Sequence, residues 1–178
     1  PSWNTWDELM NGSTAPFTDD AMISLFQAFS GTNSLYFPDN GLAGPEDILL
    51  MFDPTLNITQ ATLSSLLTPY VSGNFSFSQM MYVRGGAGAY FNLQAENIPG
   101  VSWALEVAFD SFGDVVMSNT TGTSFITSFP HDVWFEIKFD IDLSNNNWEV
   151  LIDGVSQGSF ANTINKIASL DLFTRIGD

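Results

Sequence analysis

Acidic side chains are the first candidates for chemistry in this chain. On the run Val133 to Asp142, Glu136 and Asp140 stand four residues apart, and Asp140 and Asp142 two apart. Paired carboxylates that hydrolyse a glycoside sit about 5–5.5 Å apart in retaining enzymes and about 6.5–9.5 Å apart in inverting ones. Four residues of extended strand span roughly 13 Å, which is too far, whereas two span roughly 7 Å, nominally compatible with inversion. Asp140 and Asp142, however, end a strand beside the polar turn Leu143-Ser144-Asn145-Asn146-Asn147, where water keeps both carboxylates ordinary. A general acid needs a desolvated environment, and this run offers none. His131, the single histidine, is followed by Asp132; neighbours on a strand face opposite ways and do not readily make a base and its orienting partner. The spacings of G-x-S-x-G, the phosphate loop, the dinucleotide fingerprint, H-E-x-x-H and the EF-hand are absent. No catalytic residue is assigned.

Binding chemistry is better represented. A glycan needs flat rings for the apolar faces of its sugars, and amide or carboxylate groups for its hydroxyls. Alternation puts Tyr90, Asn92 and Gln94 on the face opposite Phe91 and Leu93, and Glu106 opposite Trp103, Leu105, Val107 and Phe109. The strand at 133–142 adds Trp134, Glu136 and Lys138, and Met80 and Tyr82 can extend the set. If these open faces adjoin on one concave sheet, they make a glycan platform. The competing reading is a solvated surface, or a second small core in which Tyr90 and Trp134 are covered by loops.

Hard cations prefer oxygen ligands, so acidic turns are calcium candidates. Asp110 and Asp114 bracket one turn, and Asp39, Glu46 and Asp47 cluster near Pro38 and Gly41. A structural Ca²⁺ is the one cofactor these residues suggest, against the simpler alternative of Asx turns. Asn11-Gly12-Ser13, Asn57-Ile58-Thr59, Asn74-Phe75-Ser76 and Asn119-Thr120-Thr121 match the glycosylation sequon, although chance explains such matches in so Asn-, Ser- and Thr-rich a chain.

The elements that must position these residues are strands. Val133, Phe135, Ile137, Phe139 and Ile141 alternate with polar residues and Trp134, giving one core face and one open face. Trp148 to Ile152 follows the Asn-rich turn, and Asp153-Gly154 then leads into Val155 to Phe160. Asp-Gly supplies positive φ at both turn positions, so the last third is a three-stranded meander. Upstream, Asn74 to Val83, Ala87 to Gln94, Ser102 to Phe109, Val115 to Met117 and Ser124 to Phe129 read as strands. Ala21 to Phe29 is left as strand before a turn and strand at Gly31 to Phe37, and Thr59 to Leu67 reads as one short helix in a loop. The fold expected is all-β: a two-sheet antiparallel β-sandwich, residues 1–178 forming one domain.

Composition sets the surroundings. With 44% hydrophobic residues, sixteen Phe and five Trp, the 178-residue chain can fill a core. Four basic against twenty acidic residues give a formal charge of −16, which repels nucleic-acid phosphates and anionic lipid and argues against both as partners. Without cysteine, neither disulfides nor thiolate metal sites hold the fold. No apolar run reaches the roughly 20 residues of a membrane span. Pro1 is not a natural start, so the chain reads as a mature or excised piece.

Ser30-Gly31-Thr32-Asn33-Ser34-Leu35, Met81-Tyr82-Val83, Gly88 to Gln94, Phe129 to Glu136, Trp148, Ile152-Asp153-Gly154 and the opening Trp3 to Trp6 together resemble the concanavalin A-like (laminin G or MAM-like) jelly-roll modules of secreted multidomain Bacteroidetes proteins. The resemblance implies a jelly roll in an exported, surface-attached bacterial protein, beside other domains of the parent. A related glycosidase family on this fold carries its acids as E-x-D-x-E or E-x-D-x-x-E; here Lys138 takes the central acidic place between Glu136 and Asp140. The expected function is a non-catalytic carbohydrate-binding accessory module on a polysaccharide or glycan surface. The alternatives are a structural or adhesive module making protein contacts in a surface fibre and, third, a glycoside hydrolase.

Overall fold

In the computed structural model, residues 3–5, 21–37, 47–52, 68–96 and 98–173 are described. The expected short helix at 59–67, and Asp39 and Glu46 of the second calcium cluster, lie outside them. The described residues hold strands and no helix, hence no helix long and apolar enough to cross a membrane.

Among the described residues thirteen strands follow one another: β1 (Trp3–Thr5), β2 (Met22–Ser24), β3 (Ser34–Tyr36), β4 (Asp47–Met51), β5 (Asn74–Tyr82), β6 (Ala89–Gln94), β7 (Trp103–Phe109), β8 (Asp114–Asn119), β9 (Gly122–Ser128), β10 (Trp134–Asp142), β11 (Asn147–Ile152), β12 (Val155–Phe160) and β13 (Ser169–Phe173). They form a seven-stranded sheet in the order β1-β4-β13-β6-β7-β8-β9, a four-stranded sheet β12-β11-β10-β5, and the separate hairpin β2-β3. All pairings are antiparallel.

Period-two patterning produces the sandwich. Phe91, Leu93, Leu105, Val107, Phe109, Val115 and Met117 of the larger sheet meet Phe135, Ile137, Phe139, Ile141, Trp148 and Val150 of the smaller in one core. At about 25 cal/mol per Å² of buried apolar surface, this layer is the main source of stability. The Asp-Gly hairpin is as expected, with φ of 49° at Asp153 and 75° at Gly154, the positive pair of a type I′ turn. Val133 departs from expectation: it precedes β10 and is exposed.

Two devices close the sandwich. At one edge, Phe125 of β9 stacks on Phe160 of β12 at 5.8 Å, and Thr127 Oγ1 donates to Gln157 Oε1 at 3.0 Å. At one end, buried Asn162 donates from Nδ2 to the Ala104 carbonyl (2.9 Å), and its Oδ1 accepts from Asn119 Nδ2 (2.7 Å) and the Ile164 N–H (3.3 Å). Asn165 joins the same segment by accepting from Trp148 Nε1 and donating to the Leu143 carbonyl. Asn119 of the Asn119-Thr120-Thr121 sequon is thus buried with its amide nitrogen committed, so the folded protein does not offer it for glycosylation.

Candidate functional site

The seven residues expected to bind a ligand fall into two groups on different sheets. Tyr90, Asn92 and Gln94 on β6 and Glu106 on β7 belong to the seven-stranded sheet; Trp134, Glu136 and Lys138 on β10 belong to the four-stranded one. They do not adjoin on one concave face. Each group points away from the shared core, whose β6 and β10 contributions are the alternate residues Phe91, Leu93, Phe135, Ile137 and Phe139, so the sandwich separates them.

The group on the larger sheet is a buried polar row rather than an open surface. Asn92 and Gln94 have no solvent exposure and Tyr90 is buried. Register places Asp171 of β13, Asn92 and Glu106 side by side across three strands. Asp171 Oδ2 accepts from Asn92 Nδ2 at 2.9 Å and from Gln94 Nε2 at 3.2 Å. Gln94 Nε2 also donates to Asn92 Oδ1 at 2.7 Å, and Gln94 Oε1 receives the Gly100 N–H at 3.0 Å, tying down the loop between β6 and β7. The Tyr90 hydroxyl donates to Glu106 Oε1 at 3.0 Å. Burial pushes the Tyr90 phenol well above its ordinary range, and the Glu106 charge adds to the rise. Phe173 packs edge-on against Tyr90 at 4.5 Å.

Leu49 and Met51 of β4 pair with Asp171 and Ser169 and are fully buried as well, outside the core cluster. This face of the sheet is a second interior layer, and that is why the expected open platform at Tyr90 fails. Ser169 Oγ and Asp171 Oδ1 are buried in it with no hydrogen-bond partner among the described residues. Neither was anticipated; the signal was the alternation of Ser169 and Asp171 with Leu170 and Leu172.

The group on the smaller sheet is accessible. On its outer face Trp134, Glu136, Lys138 and Asp140 of β10 pair with Tyr82, Met80, Ser78 and Ser76 of β5. The Tyr82 and Trp134 rings lie 5.6 Å apart, and Phe29, from the loop between β2 and β3, approaches Trp134 at 6.1 Å. Met80 and Tyr82 do extend the set, and Phe29 is an addition that only the tertiary structure supplies. Beside the rings runs a polar strip, where Lys138 Nζ donates to Asp140 Oδ2 and Ser76 Oγ to Asp140 Oδ1, each at 2.7 Å. The Lys138 bond, then the Ser76 bond, holds the Asp140 carboxyl below the usual range, and the Asp140 bond raises Lys138. Asp142 is held low by the Asn145 side chain and backbone.

The calcium candidates divide too. Asp110 Oδ1 accepts the N–H groups of Phe112 and Asp114, both at 2.9 Å, and the backbone bond from Asp114 leads in lowering its pKa. That is the geometry of an Asx turn. Asp47 lies on β4, its backbone paired with Phe173, and Asp39 is outside the described residues. Among the described residues no three acidic or histidine side chains group closely enough to share a metal.

No protein-family model matches this chain, and no curated protein sequence matches it. Among solved structures, a sialidase superposes with a TM-score of 0.50 at 11% identity, over 75% of this chain and 11% of that chain; this chain therefore corresponds to a small part of it. A human galectin-16 variant gives 0.46 at 13% identity over 62% of this chain and 86% of that one. Sheep galectin-11, in complex with glycerol, gives 0.40 at 16% identity over 62% and 97%. At such low identity the sialidase superposition bears on the fold alone, the antiparallel sandwich described above.

Proposed function

We propose that this chain is a non-catalytic glycan-binding module, and that the ligand lies on the outer face of the four-stranded sheet against Trp134, Tyr82 and Phe29. The observation that carries the reading is the tilted Tyr82–Trp134 pair, only partly buried on a regular sheet face and flanked by Glu136, Lys138 and Asp140. Rings at that spacing present an apolar ledge to the flat side of a sugar, and the strip beside it offers donors and acceptors to its hydroxyls. Tyr90, Asn92, Gln94 and Glu106 leave the ligand set and serve as interior polar links.

Support for a non-catalytic role comes from the carboxylates on the same face. Both oxygens of Asp140 and both of Asp142 already accept structural hydrogen bonds. Neither carboxyl is raised toward neutrality as a general acid must be. The setting we propose is an exported bacterial protein in which this module holds neighbouring domains to a polysaccharide or glycan surface.

A glycan array, run with and without Ca²⁺, tests ligand and ion together. Retention that disappears in Trp134→Ala and Tyr82→Ala while the fold persists supports the reading; undiminished retention in both variants overturns it.

A further inference from the structure

We infer that β5 is a pairing edge for a second copy of this chain, joining two four-stranded sheets across a twofold axis through Ser78. This stands apart from the glycan reading and rests on the backbone of β5.

β5 is the outer strand of the small sheet, nine residues paired to β10 from Asn74↔Asp142 to Tyr82↔Trp134 with no register shift. The phase of its ladder follows from the Leu143 N–H, which donates to the Gly73 carbonyl at 2.9 Å. Residue 73 is therefore on the hydrogen-bonding side toward β10, and alternation gives 75, 77, 79 and 81 the same role. The N–H and C=O groups of Asn74, Ser76, Ser78, Met80 and Tyr82 point out of the sheet, and no backbone partner for them is present among the described residues.

Natural edges are blunted by charge, proline, bulges, shortness or cover. The other edges here comply: β1 has three residues, while β9 and β12 meet each other and β12 carries a register shift. Among the described residues, β5 has none of these guards. From Thr68 to Val83 there is no charged residue in a chain of net charge −16, so two copies meeting along β5 bring no charge of that strand into opposition.

The occupant is a second copy because β5 is complementary to itself. Turned antiparallel about Ser78, it pairs Asn74 with Tyr82, Ser76 with Met80 and Ser78 with Ser78, all outward-pointing residues, and makes about ten hydrogen bonds. The same register sets Phe75 against Met81 and Phe77 against Gln79, on the face where Phe75, Phe77 and Met81 are only partly buried against the core. Each half-covered ring at the flank gains cover. The two Tyr82 positions end up eight strand residues apart, roughly 27 Å, on one continuous sheet.

Sedimentation velocity with light scattering on the full chain tests this. The expected result is a mass about twice 19.5 kDa at protein concentrations on the order of micromolar, with the dimer fraction rising with salt as the net charge is screened. Ser78→Lys places two ammonium groups opposite each other at the axis and is expected to give monomer, with Ser78→Thr remaining dimeric. If Ser78→Lys also perturbs folding by circular dichroism, wild-type amide exchange decides: the Ser76, Ser78 and Met80 N–H groups must slow as concentration rises. A monomer under all conditions, or a dimer unchanged by Ser78→Lys in a folded protein, overturns the inference.

Discussion

Replacing Asn162 by alanine removes the latch at one end of the sandwich, and its cost can be worked from the bonds it breaks. The side chain supplies three: to the Ala104 carbonyl, from the Asn119 amide and from the Ile164 N–H. Its own backbone bonds to Asn146, at 2.9 and 3.0 Å, are untouched. Three bonds at about 1 kcal/mol each give roughly 3 kcal/mol, and leaving the Ala104 carbonyl buried and unpaired costs about 1–3 kcal/mol in its place. Asn119 keeps Thr163 as a partner, so its share is small. We expect a loss of about 3 kcal/mol and, for a domain of this size, a fall in Tm of roughly 6–12 °C. Urea melts followed by tryptophan fluorescence and far-UV circular dichroism measure it, with coincident curves and an unchanged m-value. A loss below about 1 kcal/mol would refute the view that this end is held by a buried amide network.

Further outcomes follow from other contacts. Trp134→Ala and Tyr82→Ala are expected to abolish glycan retention while lowering stability by no more than about 1–2 kcal/mol, since both rings are partly solvated; affinity electrophoresis and thermal melts separate the effects. Spectrophotometric titration should show a phenol still un-ionised well above the ordinary tyrosine range, and Tyr90→Phe should remove that late fraction. Asp140 has a depressed folded pKa, so its contribution is present above the ordinary carboxylate range and is lost as pH falls through the lowered value. Lys138→Gln should therefore flatten the acid limb of a stability–pH curve. Gly158 has φ of 137°, and an added Cβ meets the Phe125 ring at 3.1 Å; Gly158→Ala should cost about 1–3 kcal/mol by denaturant unfolding.

Strands that alternate cleanly were legible in the sequence. β5, β7, β10, β11 and β12 lie where period two and turn chemistry put them, most plainly β10 and β11, which bury one face and leave the other partly exposed. β4 and β13 were not, though they are central. Ile48 to Met51 is a continuous apolar run without a polar face to mark its period, and Leu49 and Met51 are buried on the side away from the core. The same second layer misled the reading of β6. Polar Tyr90, Asn92 and Gln94 alternating with Phe91 and Leu93 look like a solvated strand, and nothing local reveals that they satisfy one another under cover.

The site was half legible for a related reason. Alternation tells which residues share a face of one strand, but which sheet a strand joins is decided by pairings far apart in sequence, such as Tyr82 with Trp134. The split of the seven residues between two sheets, and the arrival of Phe29 beside Trp134, are facts of that kind.

The order β1-β4-β13 has a consequence for load. Trp3 and Leu170 both pair with Leu50, and Thr5 and Leu172 both with Ile48, so β1 and β13 run in the same direction on either side of an oppositely directed β4. A pull entering at Trp3 and leaving at Phe173 acts along the strands, with the interstrand hydrogen bonds lying across it. Those bonds must slide together rather than open one by one, and three-residue β1 yields before five-residue β13.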